Sequence, residues 1–225
     1  IEKRRGNPIL SMRDLIKNVL PKGAALVSFN VEKGKDNVIP TSVRAVIHLP
    51  KGISIPSRAI MNVVNQFTDG ASLNISTNVS AEEKAVSAMT MNTNVRILRA
   101  FDAMPNGVIE MNDQLDGVVG VSSNIGVVST TDDELKVGLS IRAFSDAKLG
   151  NAVTEAKDVF ARYGFTPADK TVIGGWDGNP DSPLTNVALE AYKFATGGKE
   201  AKVTGANCGL EVADVVRKLR IHLDL

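Results

Sequence analysis

From Ile9 onward the apolar residues return every three or four positions, as Met12, Leu15, Ile16, Val19 and Leu20. One face of a helix has that spacing. Asn7 and Pro8 stand before it as an N-cap and a first helical residue, and Pro21-Lys22-Gly23 ends it. The period then falls to two. Ala24 to Phe29 reads as a strand, Asn30 to Asn37 as a polar loop, and Thr41 to Leu49 as a second strand. In that second strand Val43, Ala45, Ile47 and Leu49 share one face, while Arg44 and His48 take the other. Ser57 to Phe67 is helical again, with Asp69-Gly70 as its turn, and Leu73 to Thr77 predicts a short strand.

Ser80-Ala81-Glu82-Glu83 has the form of a capping box, and the helix it opens is expected to reach about Met104. Thr90 to Asn94 is a weak stretch in its middle, where a break is expected if one occurs. Pro105-Asn106-Gly107 is a turn. Val118 to Thr130 and Leu135 to Phe144 predict two long strands joined at Thr131-Asp132-Asp133 as a hairpin, and Ser145 caps a helix through Tyr163. Strand pairs on short turns with helices between them argue for an α+β fold, an antiparallel sheet with helices on one face.

After Phe165 the order changes. A short strand at Thr171 to Ile173, a helix opened by Ser182-Pro183, a short strand near Lys202 and a helix from Glu211 to Leu219 predict a few elements of a parallel α/β sheet. So short a segment cannot bury both faces of a sheet alone. The expected organisation is a domain over residues 6–165 followed by an incomplete α/β segment over 166–225.

Composition narrows the function classes. A formal net charge of +1 with 23% charged residues gives no reason to expect nucleic acid or an anionic membrane as partner. The single cysteine, Cys208, leaves no internal disulfide and fits a reducing compartment. With neither a signal-like segment nor an 18-residue apolar run, a cytoplasmic protein is expected. Two histidines, His48 and His222, are too few and too far apart for a dinuclear metal site. Gly174-Gly175-Trp176-Asp177-Gly178 lacks the Lys-Ser/Thr ending of a phosphate loop. Cys208 reads as a small buried hydrophobe rather than a nucleophile.

Three runs carry a resemblance: ILRAFDAMPNGVIEMND from Ile97, SSNIGVVSTTDDELKVGLSIRAFSDA from Ser122, and GGWDGNPDSPLTNVALEAYK from Gly174. Their order and spacing resemble the aminoacyl-histidine dipeptidases, also called cytosol non-specific dipeptidases. Upstream, Asn37-Val38-Ile39-Pro40 is similar to an Asn-x-Ile-Pro in that family's lid. The resemblance implies an exopeptidase of Xaa-His-type dipeptides with two zinc ions, and a lid that forms a homodimer. It places this chain on the lid and dimerisation domain plus part of the following catalytic segment, with the zinc ligands elsewhere in the parent. Where the family has His-Ala-Gly-Leu-Glu-Cys-Gly, this chain reads Val203-Thr204-Gly205-Ala206-Asn207-Cys208-Gly209. The expectation is therefore a truncated dipeptidase homologue with no cofactor of its own. The alternative is a non-catalytic dimerisation or small-ligand-binding α+β module.

Three residues are substrate-binding candidates by the resemblance. Asn37 would hydrogen-bond the substrate or its oxyanion; the competing reading is a turn asparagine chosen for positive φ. Arg142 would grip the terminal carboxylate of the dipeptide with its planar fork of donors; the competing reading is a cross-strand salt bridge with an acid such as Glu134. Asn124 matches the family's Ser-Asn-x-Gly, yet Gly126 two residues on signals a bulge or a close backbone approach. No residue is expected to be catalytic or metal-binding. His48 is read as a surface or interface residue and His222 as part of a solvated tail.

Overall fold

A computed structural model describes residues 6–66, 87–169, 175, 178–205 and 211–220. The described elements run α1 (Pro8–Val19), β1 (Ala25–Val31), β2 (Val43–His48), α2 (Ser57–Gln66), α3 (Met91–Ala103), β3 (Gly107–Met111), β4 (Val119–Thr130), β5 (Leu135–Ala143), α4 (Asp146–Arg162), α5 (Pro183–Ala195) and α6 (Glu211–Leu219). β1 and β2 form one antiparallel sheet, and β3-β4-β5 a second in which β3 and β4 are antiparallel. The fold is α+β, as the alternation of periods predicts.

The chain divides into two compact units. The first comprises residues 1–104, 124–140 and 159–165; the second comprises 105–123, 141–158 and 166–225. The core of the first unit is Ile9 and Ile16 of α1, Leu26 and Phe29 of β1, Ile97, Ala100 and Phe101 of α3, Met104, Ile125 and Val128 of β4, and Val159 of α4. Phe29 and Phe101 meet edge to face, with centroids 5.5 Å apart, the arrangement their ring quadrupoles favour.

Leu26 and Phe29 are both buried although three positions apart, which strict alternation forbids. A bulge between Leu26 and Ser28 supplies the missing residue and turns Phe29 inward. β2 follows the predicted alternation: Val43, Ala45 and Ile47 are half-buried, while Arg44, Val46 and His48 are exposed.

Two side chains fasten distant segments of this unit. The Asn7 oxygen accepts from the Ile9 amide at 3.0 Å, capping α1, and its nitrogen donates to the Ile125 carbonyl at 2.8 Å. Thr130 Oγ1 accepts from the Phe29 amide and donates to the Phe29 carbonyl, both at 3.0 Å, tying β4 to β1.

The break that the sequence allows at Thr90 to Asn94 is present. α3 begins at Met91 with Thr90 as its N-cap, accepting from the Thr93 amide at 3.2 Å. Residues 87–90 are not helical. The stretch that reads as a weak helix middle is thus a first turn, where Thr90 as N-cap satisfies an open amide better than alanine would. Ser80-Glu83 and the strand expected at Leu73 to Thr77 lie outside the described residues. β3, five residues long and mostly exposed, follows directly on the turn at Pro105-Asn106-Gly107, and the sequence reading did not separate it.

In the second unit Ser182 caps α5, accepting from the Thr185 amide at 3.1 Å, and α6 spans the predicted residues. No strand forms at Lys202, and Thr171 to Ile173 lies outside the described residues. Lys148 of α4 reaches both Glu110 of β3 and Asp113, the latter at 2.7 Å. None of the described helices is long and apolar enough to cross a membrane.

Candidate functional site

The polar loop after β1 closes in a tight turn at Lys35–Val38, in which the Val38 amide donates to the Lys35 carbonyl at 3.2 Å. Asn37 is one of its two central residues and is exposed. Among the described non-glycine residues only Arg220 has positive φ, so Asn37 keeps an ordinary backbone conformation. The turn therefore does not need asparagine for its φ, and the competing reading of Asn37 as a left-handed turn residue is set aside.

This turn rests on β4 and β5. Asn124 is nearly buried, and its side-chain nitrogen donates to the Val38 carbonyl at 3.0 Å and the Asp36 carbonyl at 3.3 Å. Both acceptors are carbonyl oxygens, which fixes the orientation of the amide: the reverse would set oxygen against oxygen. Its two grips flank Asn37 on either side. Alongside, a Cβ on Gly126 would stand 2.6 Å from the Asp36 carbonyl oxygen, and one on Gly138 would stand 2.8 Å from Asp36 Oδ1. At Gly126 the obstructing atoms are backbone, so only glycine lets the turn lie this close to β4, whereas at Gly138 the atom met is the tip of the Asp36 side chain. The close approach signalled by Gly126 in the sequence is there. Gly138 escaped that reading, although an isolated glycine within a strand is the same signal.

Arg142 belongs to the second unit, as the penultimate residue of β5, and is half-buried. Glu134 is not its partner. Glu134 immediately precedes β5, eight extended residues or roughly 27 Å away, and it pairs with Lys136 at 2.6 Å. Just beyond Arg142 the chain turns at Phe144-Ser145-Asp146, and two glycines of the later segment pack there. The Gly175 amide donates to Asp146 Oδ1 at 2.9 Å, and a Cβ on Gly175 would stand 2.7 Å from the Phe144 carbonyl oxygen. A Cβ on Gly205 would stand 3.1 Å from the Phe144 ring.

Asn37 and Asn124 are thus brought together in the first unit, and Arg142 lies in the second. His48 is exposed at the end of β2. Cys208 and His222 lie outside the described residues, as do three of the five residues from Gly174 to Gly178. Among the described residues no three His, Cys, Asp or Glu side chains gather where they could hold an ion. The residues described here therefore do not fit the pair of zinc ions that the resemblance implies for the parent family.

No family model matches the chain. The cytosol non-specific dipeptidase of Escherichia coli (strain K12) is 30% identical over 115 residues, which make up 51% of this chain and 23% of that protein. The crystal structure of aminoacylhistidine dipeptidase from Vibrio alginolyticus matches over 95% of this chain and 44% of its own, with a TM-score of 0.77 at 19% identity. At that identity the structural match speaks to the fold alone. The chain spans less than half the length of either protein. By sequence over half its length this chain is similar to part of a cytosol non-specific dipeptidase, the family its motifs resemble, and over nearly all of its length it shares the fold of part of an aminoacylhistidine dipeptidase.

Proposed function

We propose that this chain is the substrate-enclosing part of a metal-dependent dipeptidase of Xaa-His-type substrates, a lid that pairs with a second copy of itself. The observation that carries the reading is Asn37: an exposed carboxamide, on a turn that does not need asparagine for its φ and whose carbonyls on either side of Asn37 are held by Asn124. A donor fixed before substrate arrives stabilises developing negative charge without reorganisation. Asn37 would donate to the carbonyl oxygen of the scissile peptide as it becomes an oxyanion. Arg142 would hold the carboxylate end of the dipeptide with paired in-plane donors, which a lysine cannot match. The described residues supply no ligand set for zinc, so no step of bond cleavage is assigned to them. They bind and orient.

The test is a dipeptidase in which this chain replaces the matching segment of the Escherichia coli relative. Asn37→Ala there should lower kcat by ~100- to 1,000-fold with little change in KM. Arg142→Lys should lower kcat/KM by ~10- to 100-fold. A C-terminally amidated dipeptide should show the same loss on the unmodified protein, and the two losses should not add. A kcat within a few-fold of the parent after Asn37→Ala would remove the oxyanion role. Dimerisation is read separately, by sedimentation of the chain at micromolar concentration. A symmetric dimer with one patch used twice is expected, and a monomer refutes that part.

A further inference from the structure

We infer that Asn124 and Gly126 are positioning residues: they do not touch substrate but fix the direction in which Asn37 points. The inference rests on the reading of Asn37 given above. An asparagine side chain has two donor hydrogens, and both of those on Asn124 have acceptors within the protein, the carbonyls of Asp36 and Val38. No donor is left for a ligand. The two carbonyls belong to the residues on either side of Asn37, so the backbone at Asn37 is held at both ends from one point on β4. The partners are 86 and 88 residues apart in sequence, so beyond the turn's own Val38–Lys35 hydrogen bond these contacts seat it on a distant strand.

The glycines complete the seat. Gly126 lies two residues along β4 from Asn124, and its missing Cβ is where the Lys35-Asp36 backbone lies. Gly138 on β5 makes room in the same way for the Asp36 carboxylate. A strand that gives up side-chain volume at Gly126 and places a buried carboxamide at Asn124 is shaped to receive this turn. Asn37 itself contributes nothing to that seat in the contacts described, and its side chain faces away from the core at an exposed position. The support and the displayed group are therefore separable by mutation.

The experiment uses the full chain, with solvent-exchange and chemical-shift measurements on backbone and side-chain amides by NMR. Four variants are compared: Asn124→Ala, Gly126→Ala, Asn37→Ala and Thr130→Ala. Thr130 is the control, because it also makes two partly buried hydrogen bonds from β4 to backbone, but to Phe29 and not to the turn. Asn124→Ala should speed exchange of the Val38 amide by at least ~10-fold relative to Thr130→Ala, once each is corrected for its global stability. The Asn37 side-chain resonances should shift toward those of an unconstrained amide. Gly126→Ala should act in the same direction. Should it fail to fold, Asn124→Ala and the milder Asn124→Ser carry the test. Asn37→Ala should leave Val38 exchange as in the parent. Equal effects of Asn124→Ala and Thr130→Ala on Val38 and Asn37 would overturn the inference. Loosening of the turn by Asn124→Ala, with Asn37→Ala harmless to hydrolysis in the hybrid dipeptidase, would uphold the seat and reject the oxyanion role alone. If both hold, kcat of the hybrid should fall with Asn124→Ala, and adding it to Asn37→Ala should cost nothing further.

Discussion

Helices α1 and α5 begin with the same words and end in different circumstances. Each has a capping side chain followed by proline, Asn7-Pro8 in one and Ser182-Pro183 in the other, and each runs for three turns or more. In α1, Ile9 and Ile16 are wholly buried. In α5 no residue is buried; Leu184 and Val187 are more than half exposed, and Phe194 is 91% exposed. The difference lies in what a cap can do. It satisfies amides within its own first turn, and so decides where a helix starts. It has no bearing on whether another element covers the apolar side.

The largest effect that sharpens this contrast is a cavity in α1. Ile16→Ala should lower unfolding free energy by about 2–5 kcal/mol, the range for deleting a buried aliphatic side chain. Phe194→Ala should change it by less than about 0.5 kcal/mol, since little packing is lost. Urea unfolding of the two variants under the same conditions makes the comparison. A cost above about 1 kcal/mol for Phe194→Ala would break it, by requiring that α5 be covered in solution.

The two caps differ next. Asn7 makes a cap and also a hydrogen bond to the Ile125 carbonyl, 118 residues away. Asn7→Ala should therefore cost about 2–3 kcal/mol, a cap plus a buried acceptor left open. Ser182→Ala removes the bond to the Thr185 amide and should cost about 1 kcal/mol. Equal costs would mean that the long-range bond of Asn7 adds nothing to its cap.

The smallest effect belongs to the surface of the second unit. Lys148 is held above the ordinary lysine range by hydrogen bonds, to Asp113 first and then to Glu110. A raised lysine pKa means that the folded state binds the proton more tightly than the unfolded state. The contribution is complete below the unfolded value of about 10.4 and is lost as pH climbs through the higher folded value. Lys148→Gln should thus lower stability by a small, salt-sensitive amount that is constant through neutral pH and fades only in strong alkali. A difference that changes between pH 6 and pH 8 would point to another titrating group.

Much of the fold is legible in local signals. Pro8, Pro183, the Thr131-Asp132-Asp133 turn and the alternation in β2 each act within a few residues, and the elements fall where these signals place them. β3 was not legible because five residues after a glycine turn are too few for a period to declare itself. The break that poor helix propensity allowed at Thr90 to Asn94 is where α3 starts, because threonine is poor inside a helix yet good as its N-cap. The candidate site divides in the same way. Gly126 announced a close approach, but what approaches it is a turn about 90 residues earlier, and Glu134, just before β5, pairs with Lys136 and not with Arg142 at the strand's other end.

The sequence by itself determined the α+β alternation, the helix starts at Pro8 and Pro183, and the resemblance to the cytosol non-specific dipeptidases, which the 30% identity over 115 residues supports. These are properties of short windows and of their order. Only the tertiary structure decided that Asn124 holds the turn of Asn37, that a bulge turns Phe29 inward, and that α1 is buried while α5 is bare. Each of these depends on which distant backbone fills the space beside a side chain. Hydrogen bonding and burial act through space with no regard to separation along the chain, so no local pattern encodes them.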